Sequence, residues 1–296
     1  MILASVTPAR RSARGIAYAC AVVALFASFV LVSRLGLSSA LTLPDIAALR
    51  FSVGGLLLCP ILLKHGLSGL QLREAAVLAV LGGLGFALFA YAGFALAPAA
   101  HGAILIHGTL SLTTALLLWL VFGGRIERRQ RMALTAIAAG IVVMVWDGLR
   151  QASIPLLAGD LCLLLASACW SGYGLYVKRL ALPAVRAAAI VAGLSAIVFL
   201  PLYAVMPGKM LFQAEWRDLL VQAVFQGVLI GALSVFVYTR AIVLLGASDV
   251  AMSTAAVPAL TTLGGFLLLG EVPTSVTLVG LALVTLGMAT GLRRGS

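Results

Sequence analysis

Residues 91–140 read YAGFALAPAAHGAILIHGTLSLTTALLLWLVFGGRIERRQRMALTAIAAG, and residues 238–287 read YTRAIVLLGASDVAMSTAAVPALTTLGGFLLLGEVPTSVTLVGLALVTLG. Laid over each other at a shift of 147 positions, the two align without a gap. Tyr91 falls on Tyr238, Ala100 on Ala247, Thr114 on Thr261, Leu116 on Leu263, Leu120 on Leu267, Gly123 on Gly270, Leu134 on Leu281 and Gly140 on Gly287. Both stretches are apolar runs punctuated by Gly, Pro and charge. A helix needs about 20 apolar residues to cross the hydrocarbon core of a bilayer. Ten such runs occur along the chain, near 15–33, 44–63, 75–96, 99–122, 131–147, 157–177, 187–206, 219–243, 249–269 and 273–292. The shift carries the third run onto the eighth, the fourth onto the ninth and the fifth onto the tenth. The chain therefore divides into two units of five helices. Five is odd, so the second unit enters from the opposite side: an inverted-topology repeat.

The composition agrees. Of 296 residues, 62% are hydrophobic and 10% charged, with a mean hydropathy of +1.15. A soluble domain carries about 25% charge, so these charges cannot cover a hydrated globule. A soluble enzyme, a disordered chain and a nucleic-acid-binding domain are excluded. No sustained period-2 alternation supports a barrel. The first run is too long for the apolar stretch of a signal peptide and leads straight into further runs, so it reads as the first helix. Cys20, Cys59, Cys162 and Cys169 all fall inside runs and lack metal-ligand spacing.

The net charge of +11 has a topological origin. With the N-terminus in the cytoplasm, the inner segments hold Arg10, Arg11, Arg14, Lys64, Arg73, Arg125, Arg128, Arg129, Arg131, Lys178, Arg179, Arg186, Arg240, Arg293 and Arg294. The outer segments hold Arg34, Arg50, Arg150, Lys209 and Arg217. This is a positive-inside bias. It predicts a multi-pass protein of the inner or plasma membrane with both termini cytoplasmic. The organisation expected is a tail at 1–14, a first five-helix repeat at 15–147, a second at 148–292 and a tail at 293–296.

The residues that open several runs resemble the drug/metabolite transporter superfamily of EamA type. They are Pro44-Asp45-Ile46-Ala47-Ala48-Leu49-Arg50-Phe51, Gly159-Asp160-Leu161 through Trp170, Ala247-Ser248-Asp249-Val250-Ala251 through Pro258, and Leu269-Gly270-Glu271. The first half departs from the pattern, with Ser111 where Pro is expected and Gly124 where Glu is expected. His101 and His107 replace small or apolar residues. The resemblance implies a ten-helix secondary transporter, often an exporter of amino acids or other small metabolites, with a central cavity between helices 1–4 and 6–9.

Intramembrane polar groups mark substrate pathways by default. In span four, His107, Ser111 and Thr114 are spaced to share a helical face. His107 can bind substrate or carry a proton, or stand as a neutral imidazole hydrogen-bonded between helices. His101 reads as interfacial. In span six, Trp170 and Tyr173 can wall a flat or cationic substrate. In span eight, Gln222 and Gln226 lie one turn apart. Arg240 either snorkels to the headgroups or meets a substrate carboxylate. Ser28 is placed to hydrogen-bond across the bundle. Tyr91 and Tyr238 occupy equivalent repeat positions near opposite sides, as gates or anchors. Pro258 loosens span nine and can serve as a hinge. Asp249 reads as the N-cap of that span, and Glu271 as a turn between helices. Gly287 and Gly291 form a GxxxG that suits either a dimer face or internal packing.

No G-x-x-x-x-G-K-[ST], H-E-x-x-H, G-x-S-x-G or T-V-G-Y-G string is present, so neither an ATPase, an enzyme nor a potassium-type channel is indicated. No cofactor is expected. The partners expected are a small-molecule substrate and the lipid bilayer, no nucleic acid, and a monomer or homodimer. A non-transporting scaffold is the alternative, and an intramembrane enzyme a more distant one.

Overall fold

The computed structural model describes residues 13–123, 127–150 and 153–292. The expected tails therefore lie outside the described residues, except that Ala13 and Arg14 open the first helix. Arg10, Arg11, Arg125, Arg293 and Arg294 lie outside them too. The helices are α1 (Ala13–Leu37), α2 (Leu43–His65), α3 (Leu72–Leu96), α4 (Ala99–Phe122), α5 (Arg128–Arg150), α6 (Ile154–Arg179), α7 (Ala184–Val205), α8 (Trp216–Leu245), α9 (Ala247–Leu269) and α10 (Ser275–Leu292). Eight of them, all but α5 and α10, are long and apolar enough to cross a membrane.

Helix ends obey local chemistry. Asp45 accepts from Thr42 N at 2.8 Å and from Thr42 Oγ1 at 2.6 Å, with Pro44 in the first turn, so α2 begins at Leu43. Gly123 and Gly270, 147 residues apart, both end helices in the left-handed conformation, at φ +61° and +67°. Three helices carry π segments, at Val80–Leu84, Ala103–Gly108 and Ala223–Ser234, and α9 is broken by a 3₁₀ turn at Thr254–Ala256. π segments often occur at functional sites.

The helix pairs have a regular order. The main contacts are α5 with α10, α2 with α7, α4 with α9, α3 with α6, α1 with α8, α2 with α8, α3 with α7, α4 with α6 and α1 with α9. Exchanging each helix for its counterpart five places on leaves this set unchanged. Small residues allow close crossings. A Cβ on Gly54 of α2 would lie 3.2 Å from Gly227 O and 3.3 Å from the Gly231 carbonyl carbon of α8, so these backbones meet directly. Gly287 is taken up the same way against Ala133 and Ile137 of α5, within one chain.

Large apolar side chains such as Leu56, Leu63, Val142, Ile154, Ile197 and Leu267 face outward. Polar and aromatic side chains collect inside. That inversion of the soluble pattern needs a hydrocarbon solvent.

Candidate functional site

Two layers of side chains converge in the interior. The first is polar and contains a residue placed in an outer segment by its charge alone. Arg50 stands two turns into α2, about 10 Å from its first residue at a rise of ~1.5 Å each, and is 2% exposed. Its guanidinium carbon lies 5.5 Å from the Phe29 ring centre and 5.6 Å from that of Phe86. Tyr91, on α3, lies beside it. The Tyr91 hydroxyl donates to Gln226 Oε1 at 3.0 Å, Gln226 Nε2 donates to Ser33 Oγ at 3.0 Å, and Ser33 Oγ donates to Phe29 O at 2.6 Å. Gln222 reaches α1 as well, donating to Val32 O at 2.9 Å.

The second layer is aromatic. Trp170 packs 4.6 Å from Phe86, 4.9 Å from Tyr238, 5.3 Å from Tyr173 and 5.9 Å from Phe26, between ring centres. His107 stacks on Phe26 at 4.5 Å. Tyr173 and Thr239 share a hydroxyl hydrogen bond of 2.6 Å.

Several buried polar atoms here have no hydrogen-bond partner: Arg50 Nη1, Trp170 Nε1, both ring nitrogens of His107, Ser111 Oγ and Gln222 Oε1. Buried polar groups in proteins are nearly always paired. Those of Arg50, Trp170 and His107, which meet at the Phe86 and Phe26 rings, mark a place prepared for something else.

One end of the bundle is tied shut. Arg34, at the end of α1, donates to Glu271 Oε1 from Nε at 3.0 Å and also from Nη2, and to Phe94 O from Nη1 at 2.7 Å. Glu271 Oε2 accepts from Ala99 N at 2.7 Å. The carboxylate thus caps the start of α4. Beside it, His101 Nδ1 bonds Asp160 Oδ1 at 2.8 Å, with both side chains buried. Asp45 also accepts from Tyr203 Oη at 2.6 Å and Met210 N at 3.2 Å, joining α2 to the end of α7. The opposite end holds an apolar groove of about 490 Å³ bounded by Ile16, Val23, Leu245, Asp249, Ser253 and Leu260.

A sequence model of the EamA-like transporter family matches residues 13–146 and again 157–291. The chain belongs to the EamA-like transporter family. With eight membrane-length apolar helices, it is a multi-pass membrane protein. No curated protein matches it. A solved structure described as a crystal structure of a protein is similar at a TM-score of 0.65 and 20% identity, over 95% of this chain and 99% of that one. That likeness concerns the fold.

The expected site residues of this EamA-like chain separate into two sets. Trp170, Tyr173, His107, Tyr91, Tyr238 and Gln226 come together in the two layers. Ser111 is buried and unpaired on α4. Arg240 is exposed on α8 and does not join them. Ser28 donates to Ala24 O at 2.6 Å, within its own helix rather than across the bundle. Pro258 is buried and sits just after the 3₁₀ break of α9.

Other expectations change. His101 lies in the first turn of α4, at the end of its span, and is buried there against Asp160. Arg50 leaves the outer segments. Glu271 does more than turn the chain. Gly246, not Asp249, occupies the N-cap before Ala247, and Asp249 sits in the first turn. The His107 imidazole makes no hydrogen bond between helices. In α4 the π segment carries His107. Thr114 bonds Ser171 of α6 at 3.2 Å, while His107 stacks on α1.

Sequence reasoning missed Arg50, Ser33, Phe29, Phe86 and Phe26. The signal for Arg50 was a lone charge inside an apolar run, preceded five residues earlier by the Asp of a capping box.

Proposed function

We propose that the chain is a secondary transporter, an exporter of amino acids or related small metabolites, that works by alternating access. The observation that carries this is the buried, internally unpaired polar and aromatic constellation between α1–α4, α6 and α8. A scaffold has no use for polar atoms left without partners in its core, since each costs about 1–3 kcal/mol.

All ten helices cross the bilayer in this reading, as two inverted five-helix repeats. The exchange symmetry of the helix contacts supports it. So does the bond between Glu271 at the end of α9 and Ala99 at the start of α4, which makes these repeat partners run in opposite directions. Thr254 Oγ1 of α9 donates to His107 O of α4 at 3.4 Å, and these residues are themselves 147 apart. The symmetry axis then passes beside the site, between the π segment of α4 and the break in α9. Pro258 lies where rocking of the two units would bend α9.

With both termini cytoplasmic in the inner membrane, the Arg34–Glu271 end is the outer one. The conformation is closed to the outside, and the groove between α1 and α9 is a lateral approach from the inner side. The acting unit is a monomer or homodimer.

The test is uptake of a labelled amino-acid and metabolite panel into proteoliposomes, with and without a pH gradient, for wild type and His107→Ala. Saturable uptake that His107→Ala lowers supports the reading. Absence of flux for the whole panel, from folded protein, overturns it.

A further inference from the structure

We propose that Arg50 binds the substrate's anionic head and that the two buried layers take an amphipathic carboxylate, an organic acid with a flat apolar body. The proposal names the substrate class of the transport site and rests on that reading.

Among the described residues Arg50 is the buried Lys or Arg side chain, and neither ion pair there involves it. The Phe29 and Phe86 rings face its charge but offer no lone pair, and its polar neighbour, the Tyr91 hydroxyl, is neutral. Nη1 is left without an acceptor. A buried charge without a counter-ion is unfavourable, and an arriving anion would relieve that cost.

The kind of orphan group matters as much as the charge. Guanidinium and indole N–H groups only donate. Arg50 Nη1 and Trp170 Nε1 both lack an acceptor, and both side chains pack on Phe86. The acceptors beside them are already used: Gln226 Oε1 by Tyr91, Ser33 Oγ by Gln226, Phe29 O by Ser33. A ligand here must bring acceptors. A carboxylate matches the guanidinium fork in a bidentate pair. One buried cation balances one negative charge, which favours a carboxylate over a phosphate dianion. The apolar body would lie on the Phe86, Trp170 and Phe26 rings. A cationic amine would meet the like charge of Arg50.

The probes are 3-phenylpropionate, its amide, 3-phenylpropylamine and 2-phenylethylphosphonate. Binding is measured by calorimetry on purified wild type, Arg50→Lys and Arg50→Gln, and counterflow on the same proteins in proteoliposomes. Wild type should prefer the acid to the amide and the amine by about 30-fold or more, the usual consequence of leaving one member of a buried charge pair alone. Arg50→Gln should bring acid and amide to equal affinity while raising the thermal midpoint, because it removes an unpaired buried charge. Arg50→Lys should retain a preference.

Equal binding of acid and amide by wild type overturns the assignment without any variant. Tighter binding of the phosphonate overturns the carboxylate class. An acid preference that survives in Arg50→Gln, or a lower midpoint in that variant, overturns the role of Arg50. Flux of the amine that Arg50→Gln leaves unchanged rejects the anion site and spares the transporter. Acid binding with no flux of any probe keeps the anion site and sinks the transport reading.

Discussion

Removing the charge of Glu271 should open the closed end of the bundle. Glu271→Gln keeps an oxygen to accept from Ala99 N but removes the attraction to Arg34. The two side chains are 25% and 20% exposed. Fully exposed pairs contribute about 0–1 kcal/mol and breaking buried ones costs about 3–5 kcal/mol, so this pair falls near 2 kcal/mol. That corresponds to a roughly 30-fold change in the ratio of closed to open molecules. Ala100 is 6% exposed and borders the pocket of about 270 Å³ that Arg34 and Glu271 also line. In a background without Cys20, Cys59, Cys162 and Cys169, an Ala100→Cys thiol reports opening by its rate of reaction with a membrane-impermeant maleimide. The rate should rise roughly 30-fold with Glu271→Gln and by a similar factor with Arg34→Gln. The double variant should react little faster than either single one, because both break the same pair. Unchanged rates, or single effects that multiply in the double variant, would refute the pair as the closure.

Asp45→Ala strips acceptors from Thr42, Tyr203 and Met210 in a buried setting and should cost about 3 kcal/mol, seen as a lower thermal midpoint in detergent. Tyr203→Phe removes one of those bonds and should cost only about 1 kcal/mol. Gly54→Val drives side-chain atoms into the backbone of α8 at Gly227 and Gly231 and should destabilise by about 1–3 kcal/mol, whereas Gly69→Ser, on an open turn with nothing near its Cβ, should lose less in the same melt. His101→Ala leaves Asp160 buried without its imidazole partner and should cost about 3 kcal/mol; an additional Asp160→Leu should recover much of that loss.

Apolar run length carried the helices. It counts residues along the bilayer normal, and the ends of α2, α4, α6 and α9 fall close to the limits of the runs. Run length says nothing about rotation around each axis. Each residue added by a π turn rotates the rest of the helix by about 100°, and three helices carry such segments. In α4 such a segment carries His107, which meets α1, while Thr114 further on meets α6. Hydroxyls offer a second ambiguity. Ser28 satisfies itself on its own helix, and Ser33, five residues on, joins the polar chain through Gln226. Charge was hardest to place. Arg50 and Arg240 both sit in apolar helices. One is buried beside aromatic rings because Asp45 starts α2 two turns earlier, and the other points outward. Pairs such as His101–Asp160 and Arg34–Glu271 lie 59 and 237 residues apart, beyond any local pattern.

The central claim is that the buried layers are a substrate site, and Gln226 tests it most directly because it links Tyr91 to Ser33 without closing either end. The measurement is counterflow of a labelled metabolite panel in proteoliposomes of wild type and Gln226→Leu, reconstituted in equal amounts. The account predicts saturable counterflow by wild type and a rate at least roughly tenfold lower in Gln226→Leu, the loss of about 1.4 kcal/mol of site interactions. Gln226→Leu that transports as fast as wild type would contradict it.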